Sequence, residues 1–91
     1  MTKKKFDPQL AERQYRKQVF KDLRGLWCQA EEGRTFQDLA AKLGVASQRV
    51  SSWASLDPSY TPPPWSVLLT LLDELELSIL IGSKACRIVK A

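Results

Sequence analysis

Side chains able to do covalent or metal chemistry are few in this chain and poorly spaced for it. Histidine is absent, and the two cysteines, Cys28 and Cys86, lie 58 positions apart. That separation fits no zinc or redox spacing, so two reduced, partly buried thiols are expected and no metal site. Asp73, Glu74 and Glu76 cluster, but no histidine, nucleophile or glycine-rich phosphate loop accompanies them, which leaves general acid or base chemistry without a partner. No catalytic residue and no cofactor are therefore expected, and the chain does not read as an enzyme. Hydrogen-bonding chemistry is better served. If residues 46–54 are helical, a rotation of 100° per residue gathers Ala46, Val50 and Trp53 within about 60°, and Ser47, Gln48, Ser51 and Ser52 fall on the opposite side. An outward amide both donates and accepts, and the hydroxyls around it can do either. Trp27, Trp53 and Trp65 could stack on single-stranded bases if exposed. Their helical registers with leucines place all three in the core instead.

Those side chains need elements to hold them. Asp7 before Pro8 reads as an N-cap followed by proline in the first turn. Val19, Phe20, Leu23, Trp27 and Ala30 then recur at helical spacing, with Arg13, Arg16, Lys17, Lys21 and Arg24 mostly on other faces. A long helix over about 8–31 follows, closed by Gly33, with Gly25 as its weak point. Thr35 with Asp38 resembles a capping box that opens a short helix burying Phe36, Leu39, Ala40 and Leu43 and ending at Gly44. A third helix covers about Ala46 to Ala54. Residues 55–64 hold four prolines, which stiffen a loop and forbid a helix. Trp65 to about Glu76 is helical again, and Leu68, Leu69, Leu71, Leu72 and Leu75 make it apolar over more than half its circumference, so it must be covered on two sides. Leu77, Ile79, Leu80 and Ile81 then read as a strand, Gly82-Ser83 as a two-residue turn and 84–89 as the return strand, with Cys86 and Ile88 on one face and Ala85, Arg87 and Val89 on the other. A continued helix over 77–81 is the alternative. The expected fold is mainly α: a helix-turn-helix bundle of four to five helices with a short C-terminal strand or hairpin.

The 91 residues are expected to form one domain spanning 1–91, and 44% apolar with 26% charged residues is a composition that folds. Charge is uneven: residues 1–24 carry +5, residues 25–53 carry 0 and residues 54–91 carry −1, so the positive field is N-terminal. Such a block attracts polyanions or anionic membranes, and a solvated helix face is the plainer account of any single charge run. The longest uncharged stretch, from Ser59 through Leu72, is interrupted by prolines and polar residues and cannot span a bilayer. Lys3, Lys4 and Lys5 are followed by charged sequence rather than an apolar run, so no secretory signal is visible and a cytoplasmic location is expected.

Between Thr35 and Trp53 the residues fall into a specific arrangement. Ala40 stands where two helix backbones approach and Gly44 in the turn between them, while Leu39, Leu43, Val45, Val50 and Trp53 supply the buried faces. This segment, 35–53, resembles the Xre/Cro-type family of phage-repressor-like helix-turn-helix regulators, and the likeness extends more loosely over 15–76. It departs in a longer first helix, in Ala46 where a Ser or Thr cap is common, and in a proline-rich insert. The insert Tyr60-Thr-Pro-Pro-Pro-Trp65 is similar to that of anti-CRISPR-associated phage regulators, and Leu75-Glu-Leu-Ser-Ile-Leu80 to the tail strand of Xre-type antitoxins.

The resemblance implies a small bacterial or phage regulator, a repressor that binds double-stranded DNA at an inverted-repeat operator as a homodimer. Ser47, Gln48, Ser51 and Ser52 would read base edges in the major groove, Gln48 pairing with adenine. Arg49 on the flank would meet phosphate, as would Thr35 and Gln37 at one helix start and Tyr60 and Thr61 ahead of another. Lys3, Lys4 and Lys5, within an arm over 1–7, would reach the backbone or form an ordinary basic terminus. Leu72, Leu75, Leu77, Ile79 and Ile81 would form the dimer interface, in a tail over 77–91. The competing expectations are an antitoxin-like module that masks a toxin-like protein partner through its C-terminal apolar segment, and an accessory domain of a nucleic-acid enzyme.

Overall fold

The computed structural model describes residues 6–55, 57 and 59–90, in the order α1 (Pro8–Ala30), α2 (Phe36–Leu43), α3 (Ser47–Ala54), α4 (Trp65–Leu75), β1 (Leu77–Ile81) and β2 (Cys86–Lys90). Mainly helical, the chain closes on an antiparallel two-stranded hairpin in which Ile79 faces Ile88 and Ile81 faces Cys86. Local chemistry sets the boundaries. The Asp7 carboxylate accepts from the Gln9 and Leu10 amides at 3.0 and 3.2 Å and starts α1. Thr35 and Asp38 form a reciprocal capping box, with the Asp38 amide donating to Thr35 Oγ1 at 3.2 Å and the Thr35 amide to the Asp38 carboxylate at 2.8 Å. Gly44, at φ +71°, ends α2 in the left-handed conformation, where a side chain is strained. At the end of α4 the same conformation falls to Glu76, at φ +55°.

Helix α1 is the spine, and its residues serve two flanks. Lys17, Phe20, Arg24 and Trp27 meet α2, α3 and the segments beside them, while Ala11, Tyr15, Asp22, Gly25 and Gln29 line clefts shared with the hairpin. At 100° per residue the two sets are centred roughly 160° apart. Helix α4 packs on α1 and buries Leu68, Leu71 and Leu72. The core joins these leucines to Val19, Phe20, Leu23 and Trp27 of α1, Leu39 and Ala40 of α2, and Val50, Trp53 and Ala54 of α3. Phe20 meets Trp53 edge to face, with ring centroids 5.6 Å apart, a geometry worth about 0.5–1.5 kcal/mol beyond the area it buries.

Several expectations need correction. Helix α3 begins at Ser47, since Ala46 has no side chain with which to cap it and stays extended and exposed; Ala54 takes the third buried position. Phe36 is exposed, its ring covered by the Arg24 guanidinium at 4.1 Å. Trp65 is also at the surface, with Arg16 over its ring at 5.8 Å, so two of the three tryptophans, not three, belong to the core. Leu69 is exposed, and α4 is covered on less of its circumference than its leucines suggest. The hairpin turn spans Gly82 to Ala85, closed by the Gly82 amide on the Ala85 carbonyl at 2.8 Å, so β2 starts at Cys86. Gly25 interrupts nothing, and α1 runs through it.

Candidate nucleic-acid interface

Helices α2 and α3 are joined through a turn at Gly44–Ala46, and the Val45 amide donates back to the Ala40 carbonyl at 3.0 Å. Val50, Trp53 and Ala54 anchor α3 inward, which leaves Ser47, Gln48, Arg49 and Ser51 fully outward. Their side chains have no hydrogen-bond or ion-pair partner among the described residues. Ser52 differs: it is half-buried, and its hydroxyl donates to the Gln48 carbonyl at 3.0 Å, so only its lone pairs face a ligand. Thr35 is likewise engaged, since its hydroxyl donates to the Asp38 carboxylate at 3.0 Å while accepting from the Asp38 amide. The Asp38 charge occupies the favourable end of the α2 dipole and competes with any phosphate there. Gln37 stays exposed in the first turn.

A second wall faces α3. Asp57 builds it by accepting the Ser59 amide at 2.9 Å on its carboxylate and, through its own carbonyl, the Tyr60 amide at 3.1 Å; hydrogen bonding from Ser59 holds the carboxyl below the usual range. Pro62 and Pro63 are buried behind it, and Arg16 donates to the Pro63 carbonyl at 3.2 Å. Between this wall and α3 runs a groove of about 480 Å³ lined by Gln48, Arg49, Ser52, Ser59, Tyr60 and Thr61. The structure thus brings Gln48, Arg49, Ser52, Tyr60 and Thr61 to one groove. Ser47 and Ser51 lie beside it on the outward face of α3, and Thr35 and Gln37 lie at the start of α2. Lys3, Lys4 and Lys5 lie outside the described residues.

Sequence reading missed the part played by the basic residues of α1. Lys17 is 3% exposed and donates from Nζ to the carbonyls of Ser55 and Ser52 at 3.0 and 3.5 Å. Burial pulls its pKa down, the neighbouring Arg13 adds to the fall, and Asp57 opposes it. Arg34 closes α1 by donating to the Trp27 carbonyl at 3.1 Å while its guanidinium lies 4.1 Å from the Trp27 ring centroid. Arg16, Lys17, Arg24 and Arg34 therefore work within the fold, and these four side chains do not form an open basic patch. The signal was present in one respect, because Lys17 falls three residues before Phe20 on the buried stripe of α1.

The C-terminal residues expected at an interface lie at different depths in the chain. Leu72 is buried in the chain's own core, Leu75, Leu77 and Ile79 pack half-buried against it, and Ile81 alone of the five is open, at 57% exposure. Glu74 pairs with Lys42 at 3.1 Å and ties α4 to α2, which accounts for one of the three clustered carboxylates. Cys28 and Cys86 are free and half-buried, and burial pushes both thiols up, so they stay protonated near neutrality. No group of three or more Cys, Asp and Glu side chains converges on a cation-sized space among the described residues, and no described helix is long and apolar enough to cross a membrane. Compared with family models, with curated proteins and with solved structures, the chain finds no match.

Proposed function

We propose that this chain is a sequence-specific double-stranded DNA-binding regulator of the Xre/Cro type, which occupies an inverted-repeat operator in the cytoplasm as a homodimer and represses transcription by blocking it. One observation carries the reading: α3 is locked from behind by Val50, Trp53 and Ala54 while Ser47, Gln48, Arg49 and Ser51 stand outward with no partner among the described residues. A helix held this way presents donors and acceptors at fixed positions, as base reading in the major groove requires. The groove beside it, with Arg49, Tyr60 and Thr61, suits a sugar-phosphate strand. The mechanism needs no cofactor. Arg49 and the N-terminal lysines supply salt-sensitive affinity, and Gln48 with its serine neighbours supplies preference. The homodimer follows from the two half-sites, about 34–36 Å apart, that such helices read. Leu80 and Ile81, exposed on the hairpin, are its apolar contribution.

Selection of bound sites from random duplex DNA tests the proposal. An enriched inverted repeat, whose binding weakens steeply between about 50 and 200 mM salt, supports it. Failure to enrich any sequence sinks it. A second reading, a module that masks a protein partner, has its own observation. Exposed Phe6, Trp65 and Ile81 share a cleft of about 150 Å³ with Pro8, Ala11 and Tyr15. A stoichiometric protein complex that survives salt at which DNA binding is lost favours that reading.

A further inference from the structure

Each end of α3 is held in a different way. At its start Ala46 offers no side-chain hydrogen bond. At its end Lys17, reaching across from α1, donates to the carbonyl of Ser52 in the last turn and to that of Ser55 at the cap. The same ammonium lies 6.0 Å from the centre of the Tyr60 ring, on the far wall of the groove. A cation there meets the negative end of the helix dipole, and with 3% exposure it meets it out of water. We infer that Lys17, although it touches no nucleic acid, is the positioning residue that sets how α3 presents Gln48 and its neighbours to base edges; this rests on the DNA-binding reading above.

One clamp matters because the helix acts as a lever. An eight-residue helix is about 12 Å long, so a tilt of about 10° about its C-terminal end moves Ser47 and Gln48 by about 2 Å. Bidentate pairing with a base tolerates only about 0.5 Å. The residues nearest the start of such a helix touch the bases, and they sit farthest from the clamp. Loss of the clamp therefore degrades sequence preference first. Contacts to phosphate, which accept a wider range of positions, are affected less.

The test compares Lys17→Met, Lys17→Arg and Val19→Ala in the full chain, each titrated with the selected duplex and with a random duplex of equal length. Lys17→Met keeps the apolar stem and removes the buried charge; Ser52 keeps a second partner in the Ser55 amide, while the Ser55 carbonyl loses its Lys17 donor. It is expected to lower the ratio of specific to random affinity at least tenfold while random affinity changes less than threefold. In the free protein, amide exchange at residues 51–55 is expected to quicken. Lys17→Arg, which retains donors for both carbonyls, should hold the ratio within about threefold. Val19→Ala removes buried volume elsewhere on α1 and controls for lost stability; it should leave the ratio unchanged. A Lys17→Met protein that keeps the wild-type ratio overturns the inference, as does a Val19→Ala protein that loses the ratio to the same extent. If the unmodified chain discriminates no duplex at all, the DNA-binding reading itself fails, a result distinct from either.

Discussion

On one flank of α1, Arg16, Lys17 and Arg24 end on carbonyls or ring faces that belong to α2, α3 and the proline-stiffened loop. On the other flank the hairpin rests on Leu77, Ile79, Cys86 and Ile88, all only half-buried. Directional bonds fix an angle as well as a distance, whereas apolar contact resists separation and permits small slides. The α2–α3 side is therefore the precisely held half of the molecule and the hairpin side the more compliant one. This is the division of labour expected where one half must present side chains in fixed positions.

The largest expected effect that would sharpen the contrast comes from truncating matched apolar residues on the two flanks. Phe20→Ala empties a site of zero exposure beside Trp53 and should cost about 3–5 kcal/mol, whereas Ile88→Ala, in a half-buried position, should cost about 1–2 kcal/mol. Urea unfolding followed by circular dichroism measures both, and equal losses would break the comparison. Next, Thr35→Ala removes the α2 cap and should cost about 1 kcal/mol, with amide exchange quickened in α2 but not in the hairpin. An even response across both regions would mean that they unfold as one unit.

Glu76 stands at the joint between α4 and β1 in the left-handed conformation. Glu76→Gly relieves about 1–2 kcal/mol of strain and adds about 0.5–1 kcal/mol of unfolded-chain entropy, so a net gain of about 0.5 kcal/mol should appear as a small rise in Tm. A fall would show that the Glu76 side chain contributes a contact of its own. The smallest effect concerns pH. Because burial places the folded-state pKa of Lys17 below its unfolded value, the unfolded chain holds that proton more tightly. Stability should therefore rise with pH between the lowered value and the ordinary lysine value, and below that window the cost of burying the charge is present in full. Tm measured across the alkaline range should climb in the unmodified chain relative to Lys17→Met, and parallel curves would show that Lys17 titrates as it does in water.

What could be read from the residues and what could not divide along the same line. The α2–α3 pair was legible because its determinants are local: Thr35 and Asp38 lie three residues apart, Gly44 marks the turn, and Leu39, Ala40, Val50 and Trp53 follow the helical period. The hairpin was legible in outline from its β-branched run, but its turn is four residues long because the Gly82 amide finds the Ala85 carbonyl. The ionic clamps were not legible. Lys17 and its acceptors lie 35 and 38 positions apart, and the cations over Phe36 and Trp65 come from α1. A periodic pattern tells which face of a helix is apolar, but not which neighbour will supply a cation to cover a ring or a carbonyl. The placement of Leu72, Leu75, Leu77 and Ile79 against the chain's own core depends in the same way on where the hairpin folds back.

The outward face of α3 has a consequence for how this molecule can change. Ser47, Gln48, Arg49 and Ser51 form no described side-chain contact that helps hold the helix, while the residues behind them supply its attachment. Substitutions at those four positions are therefore nearly free of cost to the fold, typically within about 0.5 kcal/mol for surface sites. Variation can accumulate there while the lock behind it stays constant. A lineage of such chains could retarget the face one residue at a time, every intermediate still folded, and a library randomised at these positions should return mostly well-folded proteins that differ in what they bind.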